Sequence, residues 1–130
     1  MGLNAKIMCV DDDIFILRMI ESCMEEDFQV ALAGSAEEGL KMMVLHGPFD
    51  VVISDYDMPG MNGVEFLGQV AERWPETIRI LMSGGGVDMD TVERAINSGH
   101  ISRFLEKPFG VITLLDQLCD ACNGRVTQDL

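Results

Sequence analysis

The sequence predicts an α/β fold built on a five-stranded parallel sheet with helices on both faces. Short apolar segments that suit strands alternate five times with longer amphipathic segments that suit helices. The chain has 130 residues, 48% of them hydrophobic, which is the size and composition of one domain with a buried core. Serial strand–helix units imply right-handed crossovers between parallel strands, and the strand order that suits five units is 2-1-3-4-5.

The first strand is predicted in "AKIMCV", residues 5–10, because this apolar run ends in three consecutive aspartates. An amphipathic helix follows at 14–26, and Asp12 or Asp13 is suited to cap its N-terminus. A short second strand is expected in "FQVAL", residues 28–32, which is rich in strand-forming side chains.

The second helix is predicted in "SAEEGLKMMVLHG", where Ser35 and Glu38 have the spacing of a capping box. Gly47 and Pro48 mark the end of this helix. The third strand, "DVVIS", shows no polar alternation, which is typical of a strand that is buried on both faces.

The third helix is predicted in "GVEFLGQVAERW" and ends before Pro75, because the residue before a proline disfavours helical backbone. A fourth strand follows in "TIRILMS". The next segment, "GGGVD", predicts a flexible loop, and "MDTVERAINSG" predicts a fourth helix that ends near Gly99.

The last unit consists of a strand in "ISRFLE" and, after Lys107-Pro108, a helix in "FGVITLLDQLCDACNG". No repeat, linker or low-complexity tract divides the chain. We therefore expect a single domain over residues 1–130, with an ordered core at about 4–123 and a short C-terminal tail at 124–130. In strand order 2-1-3-4-5, this (βα)5 arrangement is flavodoxin-like.

Composition argues against several functional classes. A net charge of −13 repels phosphate backbones, and no basic DNA-reading helix is present, so we expect no direct nucleic-acid binding. No apolar run approaches the ~20 residues that span a bilayer, and the first residues lack a signal-peptide pattern. We expect a cytoplasmic protein without a membrane segment. The "CDAC" pair has no second cysteine pair with which to complete a zinc site.

Polar side chains follow four of the predicted strands at one edge of the sheet. They are Asp11, Asp12 and Asp13 after strand 1, Asp55 after strand 3, Ser83 after strand 4 and Lys107 after strand 5. Taken singly, each is explained by a helix cap, a turn or a solvated lysine. Ligand sites of doubly wound sheets form at this same edge, beside the switch in strand order, so the convergence of these residues predicts a site.

The residue types at this edge suit the transfer of a phosphoryl group to Asp55. Clustered carboxylates repel one another and need a cation, and Mg²⁺ is a hard ion that takes oxygen ligands and keeps several waters. A carboxylate beside such an ion can act as a nucleophile toward phosphorus. Lys107 and Ser83 would stabilise the remaining phosphoryl oxygens, and Gly84 would leave room for the group.

The sequence closely resembles the receiver domain of two-component response regulators. The resemblance runs from "IMCVDDD" to the last helix and rests on the acidic pair after strand 1, "DYDMPGMNG", the hydroxyl residue ending strand 4, and "FLEKPF". It implies that Asp55 accepts a phosphoryl group from the phosphohistidine of a sensor histidine kinase or histidine phosphotransfer protein. It also implies that Asp11, Asp12 and Asp55 bind Mg²⁺ or Mn²⁺, with the backbone carbonyl of Asp57 as a further ligand.

The same resemblance implies a conformational switch. Ser83, where threonine is commoner in the family, would bond a phosphoryl oxygen. Lys107 would pair with the phosphoryl group, and its bond to Pro108 is usually cis in the family. Phe104 matches the switch aromatic of strand 5, and its alternative role is that of a plain core aromatic. The change would reach a downstream effector or a fused output domain, and the helix 4–strand 5–helix 5 face is a candidate homodimer surface.

Three features of the sequence qualify this resemblance. The acidic side chain of Asp57 lies where many receivers have a neutral one, so we hypothesise that it alters the lifetime of the acyl phosphate. The run Gly84–Gly86, with Gly85 at its centre, is unusually glycine-rich for a switch loop and predicts partly disorder-to-order switching. The run "INSGHISRFLEKPF" is similar to receivers joined to phosphodiesterase or kinase modules, which suggests that the chain is part of a larger protein.

Two alternative functions remain open from the sequence. "VVISDYD" also fits the first motif of haloacid dehalogenase-type phosphatases, in which the first aspartate is the nucleophile and the second the general acid. Against this enzyme, the motif lies in the third strand and no acidic pair follows Lys107 on a further strand. The other alternative is an interaction module that keeps the fold but is never phosphorylated.

Overall fold

Five strand–helix units alternate in the computed structural model, which describes residues 5–26, 28–85, 87–107 and 110–128. The strands are β1 (Lys6–Val10), β2 (Gln29–Ala33), β3 (Val51–Asp55), β4 (Ile78–Ser83) and β5 (Arg103–Glu106). The helices are α1 (Ile14–Met24), α2 (Ala36–His46), α3 (Gly63–Arg73), α4 (Met89–Asn97) and α5 (Val111–Gln128). All strand pairs are parallel and the order is β2-β1-β3-β4-β5, which confirms the predicted fold.

The sheet forms the middle layer between two hydrophobic clusters. β3 lies between β1 and β4, and all five of its residues are buried, as its unbroken apolar run predicted. Successive residues of β1 point to opposite faces, so Ile7 and Cys9 join one cluster while Met8 and Val10 join the other. α1 and α5 cover the first cluster, and α2, α3 and α4 cover the second. Packing on both faces therefore fixes the strand ends.

Local side-chain caps begin the first two helices. Asp13 caps α1, because its carboxylate accepts a hydrogen bond from the Phe15 N–H at 2.9 Å. Ser35 caps α2 by accepting from the Glu38 N–H at 3.1 Å. The predicted capping box is wrong in its second half, since Glu38 Oε1 accepts from the Gly34 N–H at 2.6 Å rather than from Ser35. Glu38 therefore binds the N–H of the residue that precedes the N-cap.

A complete capping box begins α3 instead. Asn62 Oδ1 accepts from the Glu65 N–H at 2.9 Å, and Glu65 Oε1 accepts from the Asn62 N–H at 3.0 Å. The Asn-x-x-Glu spacing in "NGVE" is the sequence pattern that indicates this box. The box fixes the start of α3 directly after the segment that follows β3.

The last helix is longer than the sequence predicted. α5 continues to Gln128, so the expected C-terminal tail at 124–130 is wrong over 124–128, where the backbone is helical. The predicted helix segment ends at Gly124, but one glycine inside a helix costs only about 1 kcal/mol relative to alanine. Residues 1–4 and 129–130 lie outside the described residues. None of the described helices combines the length and the apolar character needed to cross a bilayer.

Candidate functional site

Three charged side chains from different strands meet at the carboxyl edge of the sheet. Asp11 follows β1, Asp55 ends β3, and Lys107 follows β5. Lys107 Nζ lies 3.1 Å from Asp11 Oδ2 and 3.2 Å from Asp55 Oδ1, so one ammonium bridges two carboxylates. Asp11 is 1% exposed and Asp55 7% exposed. The structure therefore brings together side chains that the strand order predicted to share an edge.

Backbone hydrogen bonds hold these residues in place just beyond the strands. The Asp11 N–H donates to the Ala33 carbonyl at 3.1 Å, and the Lys107 N–H donates to the Ser83 carbonyl at 2.7 Å. Sheet-like pairing thus extends one residue past β1 and β5. Because both backbones are fixed, the two side chains point into the site from rigid supports rather than from free loops.

Asp12 completes an acidic cluster with the two buried carboxylates. One carboxylate oxygen from each of Asp11, Asp12 and Asp55 lies within 4.8 Å of the others. Asp12 itself is exposed, so the cluster opens to solvent on its side. Asp13 is directed elsewhere, because its side chain caps α1 while its N–H donates to Asp11 Oδ1 at 2.9 Å. Of the three consecutive aspartates, two therefore face the site.

The electrostatics of the cluster favour a further cation. Burial raises the pKa of Asp55, and the negative charge of Asp11 raises it further, against the opposing effect of Lys107. Burial alone would lower the pKa of Lys107, but its hydrogen bonds and charge interactions with the two buried carboxylates outweigh burial and raise it. The cluster thus holds three carboxyl groups, and the Lys107 ammonium contacts two of them. An all-oxygen set of this kind fits Mg²⁺ or Mn²⁺.

Ser83 lies at the end of β4 and is fully buried. Its Oγ accepts a hydrogen bond from the Gly85 N–H at 3.3 Å, and Gly85 has a φ of +107°, which favours glycine. A Cβ placed on Gly84 would lie 3.8 Å from the Cβ of Lys107, so this glycine leaves ordinary contact space beside the lysine. Gly86, the third glycine of the predicted flexible run, lies outside the described residues.

Asp57 follows β3 and Phe104 lies in β5, and among the described residues neither joins the ion pairs of the site. The Asp57 side chain is exposed, and its charge is one of the smaller influences that raise the pKa of Asp55. Phe104 is partly buried and packs against the cluster beneath α3 and α4. The carbonyl ligand from Asp57 and the switch role of Phe104 stay predictions. The predicted cis bond between Lys107 and Pro108 lies outside the described residues.

Gly63 is a positioning residue that the sequence analysis missed. A Cβ on this glycine would lie 2.3 Å from the Asp55 carbonyl oxygen, 2.8 Å from Leu81 Cδ1 and 2.9 Å from Tyr56 Cα. The Gly63 N–H also donates to the Tyr56 carbonyl at 2.9 Å, which closes the loop between β3 and α3. The sequence feature that could have indicated this close approach is the glycine that ends "MNG". Only glycine lets α3 begin this close to the end of β3.

Comparisons with known proteins agree with this architecture. The family described as "Response regulator receiver domain" matches residues 7–119. The chain is 33% identical over 125 residues to the hydrogenase transcriptional regulatory protein HoxA of Cupriavidus necator, covering 96% of this chain and 26% of HoxA. It is 29% identical over 118 residues to the chemotaxis protein CheY-3 of Vibrio cholerae, covering 88% of this chain and 89% of that protein.

A solved structure gives the same result in three dimensions. The response regulator receiver domain protein from Clostridium thermocellum superposes with a TM-score of 0.87 at 31% identity, covering 95% of this chain and 98% of that one. The match over 7–119 also favours a receiver over a haloacid dehalogenase-type phosphatase. The chain spans about a quarter of the length of the HoxA relatives. Its motifs, its fold and these relatives together show that the chain belongs to the family of response regulator receiver domains.

Proposed function

We propose that the domain is a phosphorylation switch in which Asp55 accepts a phosphoryl group from the phosphohistidine of a sensor histidine kinase or phosphotransfer protein. The observation that carries the proposal is the position of Lys107, whose ammonium bridges Asp11 and Asp55 beside the Asp12 carboxylate. Burying two carboxylates against one ammonium is unfavourable for stability alone. The arrangement is expected where a further cation and a phosphoryl group are to bind.

The transfer is a displacement at phosphorus. A carboxylate oxygen of Asp55 attacks the phosphorus atom in line with its bond to the histidine nitrogen, and an aspartyl phosphate forms. The electron pair of the broken nitrogen–phosphorus bond returns to the imidazole ring. Asp11, Asp12, Asp55 and the Asp57 carbonyl would hold Mg²⁺ or Mn²⁺, which when bound neutralises charge on the phosphoryl oxygens.

Lys107 and Ser83 are proposed to stabilise the other phosphoryl oxygens. Lys107 exchanges the Asp55 carboxylate for a phosphoryl oxygen, while Asp11 keeps the ammonium in place at 3.1 Å. The Ser83 hydroxyl already accepts a bond from the Gly85 N–H, which leaves its own hydrogen to donate to the phosphoryl group. Movement of Ser83 would then vacate the space into which Phe104 turns.

The phosphohistidine donor is proposed to dock on the start of α1. Ile14, Phe15 and Met19 on this helix are exposed large hydrophobic residues, and Phe15 is 80% exposed. The helix begins only two residues after Asp12, so a protein that brings a phosphohistidine to Asp55 passes over this patch. An apolar face on the donor would cover these side chains and hold the reacting atoms together.

The output is proposed to reach a fused domain or a separate effector. The chain spans 26% of HoxA but 89% of CheY-3, and receivers of both arrangements are therefore among its relatives. We propose one receiver domain over 1–130, whose α4–β5–α5 face binds the effector or a second copy of the chain once Ser83 and Phe104 have moved.

Asp57 is proposed to set the lifetime of the aspartyl phosphate. Its exposed carboxylate is near enough to influence the pKa of Asp55, and it would either orient the attacking water or repel the phosphoryl group. Asp57→Asn removes the charge while keeping the shape of the side chain. The half-life of the phosphorylated protein should differ between this variant and wild type, and equal half-lives would remove the proposal.

Intact-mass measurement after incubation with acetyl phosphate and Mg²⁺ tests the main proposal. Wild type should gain one phosphoryl group, and Asp55→Asn should gain none. Asp116→Asn is the matched control, because Asp116 is an exposed carboxylate on α5, and it should be phosphorylated like wild type. EDTA should abolish the gain in wild type if Mg²⁺ is required.

The outcomes separate the rival functions. Equal phosphorylation of Asp55→Asn would contradict the assignment of Asp55. No phosphorylation of wild type would favour an interaction module that keeps only the fold. Repeated turnover of a small phosphate ester, rather than a single stoichiometric gain, would favour a phosphatase.

A further inference from the structure

Arg79 is a buried cation at the opposite end of β4 from Ser83. It is 9% exposed, and among the described residues no carboxylate forms an ion pair with it. Its guanidinium instead donates four hydrogen bonds, all to backbone carbonyls. The acceptors are Thr77 at 2.6 Å, Gly99 at 2.9 Å, His100 at 3.0 Å and Pro75 at 3.3 Å.

This arrangement joins two loops that are distant in the sequence. Two acceptors lie between α3 and β4, and the other two follow the C-terminal end of α4. Burial lowers the pKa of Arg79, because the charged guanidinium has left water. A planar guanidinium has five N–H donors and can satisfy four carbonyls at once, whereas an ammonium has three donors and an apolar side chain has none. The favourable partial charge at the helix C-terminus adds to these bonds.

The C-terminal end of α4 is held from three sides. The Arg79 guanidinium binds the carbonyls of Gly99 and His100. The Ser102 N–H donates to the Arg79 carbonyl at 2.7 Å, and the Arg79 N–H donates to Ser102 Oγ at 3.1 Å. The His100 ring lies against α3, where a Cβ on Gly68 would come within 3.4 Å of the ring Nδ1.

The N-terminal end of α4 is held by side-chain packing, and among the described residues its cap makes no hydrogen bond to another strand or helix. The helix has nine residues and buries only Val92 and Ala95. Its N-terminus is capped locally, because Asp88 Oδ1 accepts from the Thr91 N–H at 2.9 Å. In the part of the chain that the structure describes, the side-chain hydrogen bonds of this cap stay between Asp88 and Thr91, and Val87 just before it is partly buried against the cluster beneath α3 and α4. The two ends of α4 therefore differ in their contacts: the C-terminal end is hydrogen-bonded to β4, and the N-terminal end is packed and capped locally.

We propose that Arg79 is a positioning residue that acts as the pivot of α4: it keeps the C-terminal end of the helix fixed to β4, so that movement starting at Ser83 tilts the N-terminal end. This inference rests on the proposed phosphorylation switch and deepens it. Without the pivot, a shift at Ser83 would displace both ends of α4. The partner-binding surface would then change less specifically.

Hydrogen exchange measured by mass spectrometry tests the pivot directly. Two segments are compared, 87–91 at the start of α4 and 97–102 at its end. Wild type, Arg79→Met and Ile20→Ala are each measured alone and with beryllofluoride and Mg²⁺, which mimic the phosphoryl group. Ile20 is fully buried on α1 and belongs to the cluster on the other face of the sheet, so Ile20→Ala controls for lost stability alone.

In wild type, beryllofluoride should change exchange in 87–91 and leave 97–102 unchanged. In Arg79→Met without ligand, exchange in 97–102 should rise about tenfold, which corresponds to about 1.4 kcal/mol of local stability. With ligand, the change should spread to both segments in this variant. Ile20→Ala should keep the wild-type contrast between the segments. If Arg79→Met does not fold, Arg79→Lys replaces it, because one ammonium cannot bridge four carbonyls.

Two results would overturn the pivot while leaving the phosphorylation switch intact. One is an equal change in both segments of ligand-bound wild type, and the other is a wild-type exchange pattern in the Arg79 variants. Phosphorylation of each protein by acetyl phosphate is measured separately, and it shows whether Asp55 still accepts a phosphoryl group. Failure of wild type to gain a phosphoryl group would overturn the proposed function and the pivot together.

Discussion

One added methyl group tests whether the start of α3 positions the acceptor strand. In Gly63→Ala, the new Cβ would lie 2.3 Å from the carbonyl oxygen of Asp55, whereas real Cβ atoms are essentially never found closer than 3.0 Å to such an atom. The neighbour is backbone at the end of β3, so it cannot rotate away as the end of a side chain does. Either α3 or the acceptor strand must therefore move by at least about 0.7 Å.

The size of the effect follows from what α3 buries. Phe66, Leu67 and Val70 on this helix are fully buried in the cluster beneath it. A gap of about 0.5–1 Å forfeits a quarter to a half of the dispersion energy at a contact, and overpacking in cores costs about 1–3 kcal/mol. Because the clash here is with backbone, we expect Gly63→Ala to lose about 3 kcal/mol of unfolding free energy.

Urea unfolding followed by the fluorescence of Trp74, the sole tryptophan of the chain, measures this loss. Gly34→Ala is the matched control, because its Cβ would meet only Glu38 Oε1 at 3.6 Å, and it should change stability by less than about 0.5 kcal/mol. The rate of phosphorylation of Asp55 should also fall in Gly63→Ala. A loss below about 1 kcal/mol would show that the approach of α3 to β3 is not constrained as the geometry implies.

Three further predictions concern a cap, a titration and the thiols. Asn62→Ala should cost about 1 kcal/mol in urea unfolding, because it removes the cap of α3. A backbone hydrogen bond from Thr91 lowers the pKa of Asp88, so this carboxylate stabilises the fold above its unfolded pKa and loses that effect as pH falls through the lowered value. The stability difference between wild type and Asp88→Asn should vanish over that acidic range. Iodoacetamide should label exposed Cys119 in the native protein but reach Cys9 only after unfolding, because burial, followed by the charge of Asp11, raises the pKa of Cys9.

The order of elements was predictable because strong local signals repeat along the chain. Apolar runs such as "DVVIS" cannot be exposed, and Gly47-Pro48 cannot continue a helix, so both are informative without tertiary context. Signals that depend on small energies failed. The helix α5 continues past Gly124, where the predicted segment ended, and Glu38 accepts a hydrogen bond from the Gly34 N–H rather than from the Ser35 N–H, because the alternatives differ in free energy by about 1 kcal/mol or less.

Which residues lie together at the edge of the sheet was predictable for a different reason. Parallel strands bring their carboxyl ends to one edge, so the order of strands alone brings Asp11, Asp55 and Lys107 together. The pairing among them was not predictable. Whether Lys107 contacts one carboxylate or both depends on distances of a few tenths of an ångström, and whether Ser83 faces Gly85 depends on the conformation of one loop.

Two residues of β4 differ in how far their roles could be predicted from the sequence: the role of Ser83 could be, and that of Arg79 could not. Ser83 lies at the edge where sites form, together with Asp55 and Lys107, whose chemistry can be read from the sequence. Arg79 lies inside the strand, on the same face as Leu81, and its partners are four carbonyls. Every residue has a carbonyl, so no residue pattern can mark these partners. A charged residue inside an apolar strand is therefore best treated as a candidate link between backbone loops, and here that link connects β4 to the helix proposed to move.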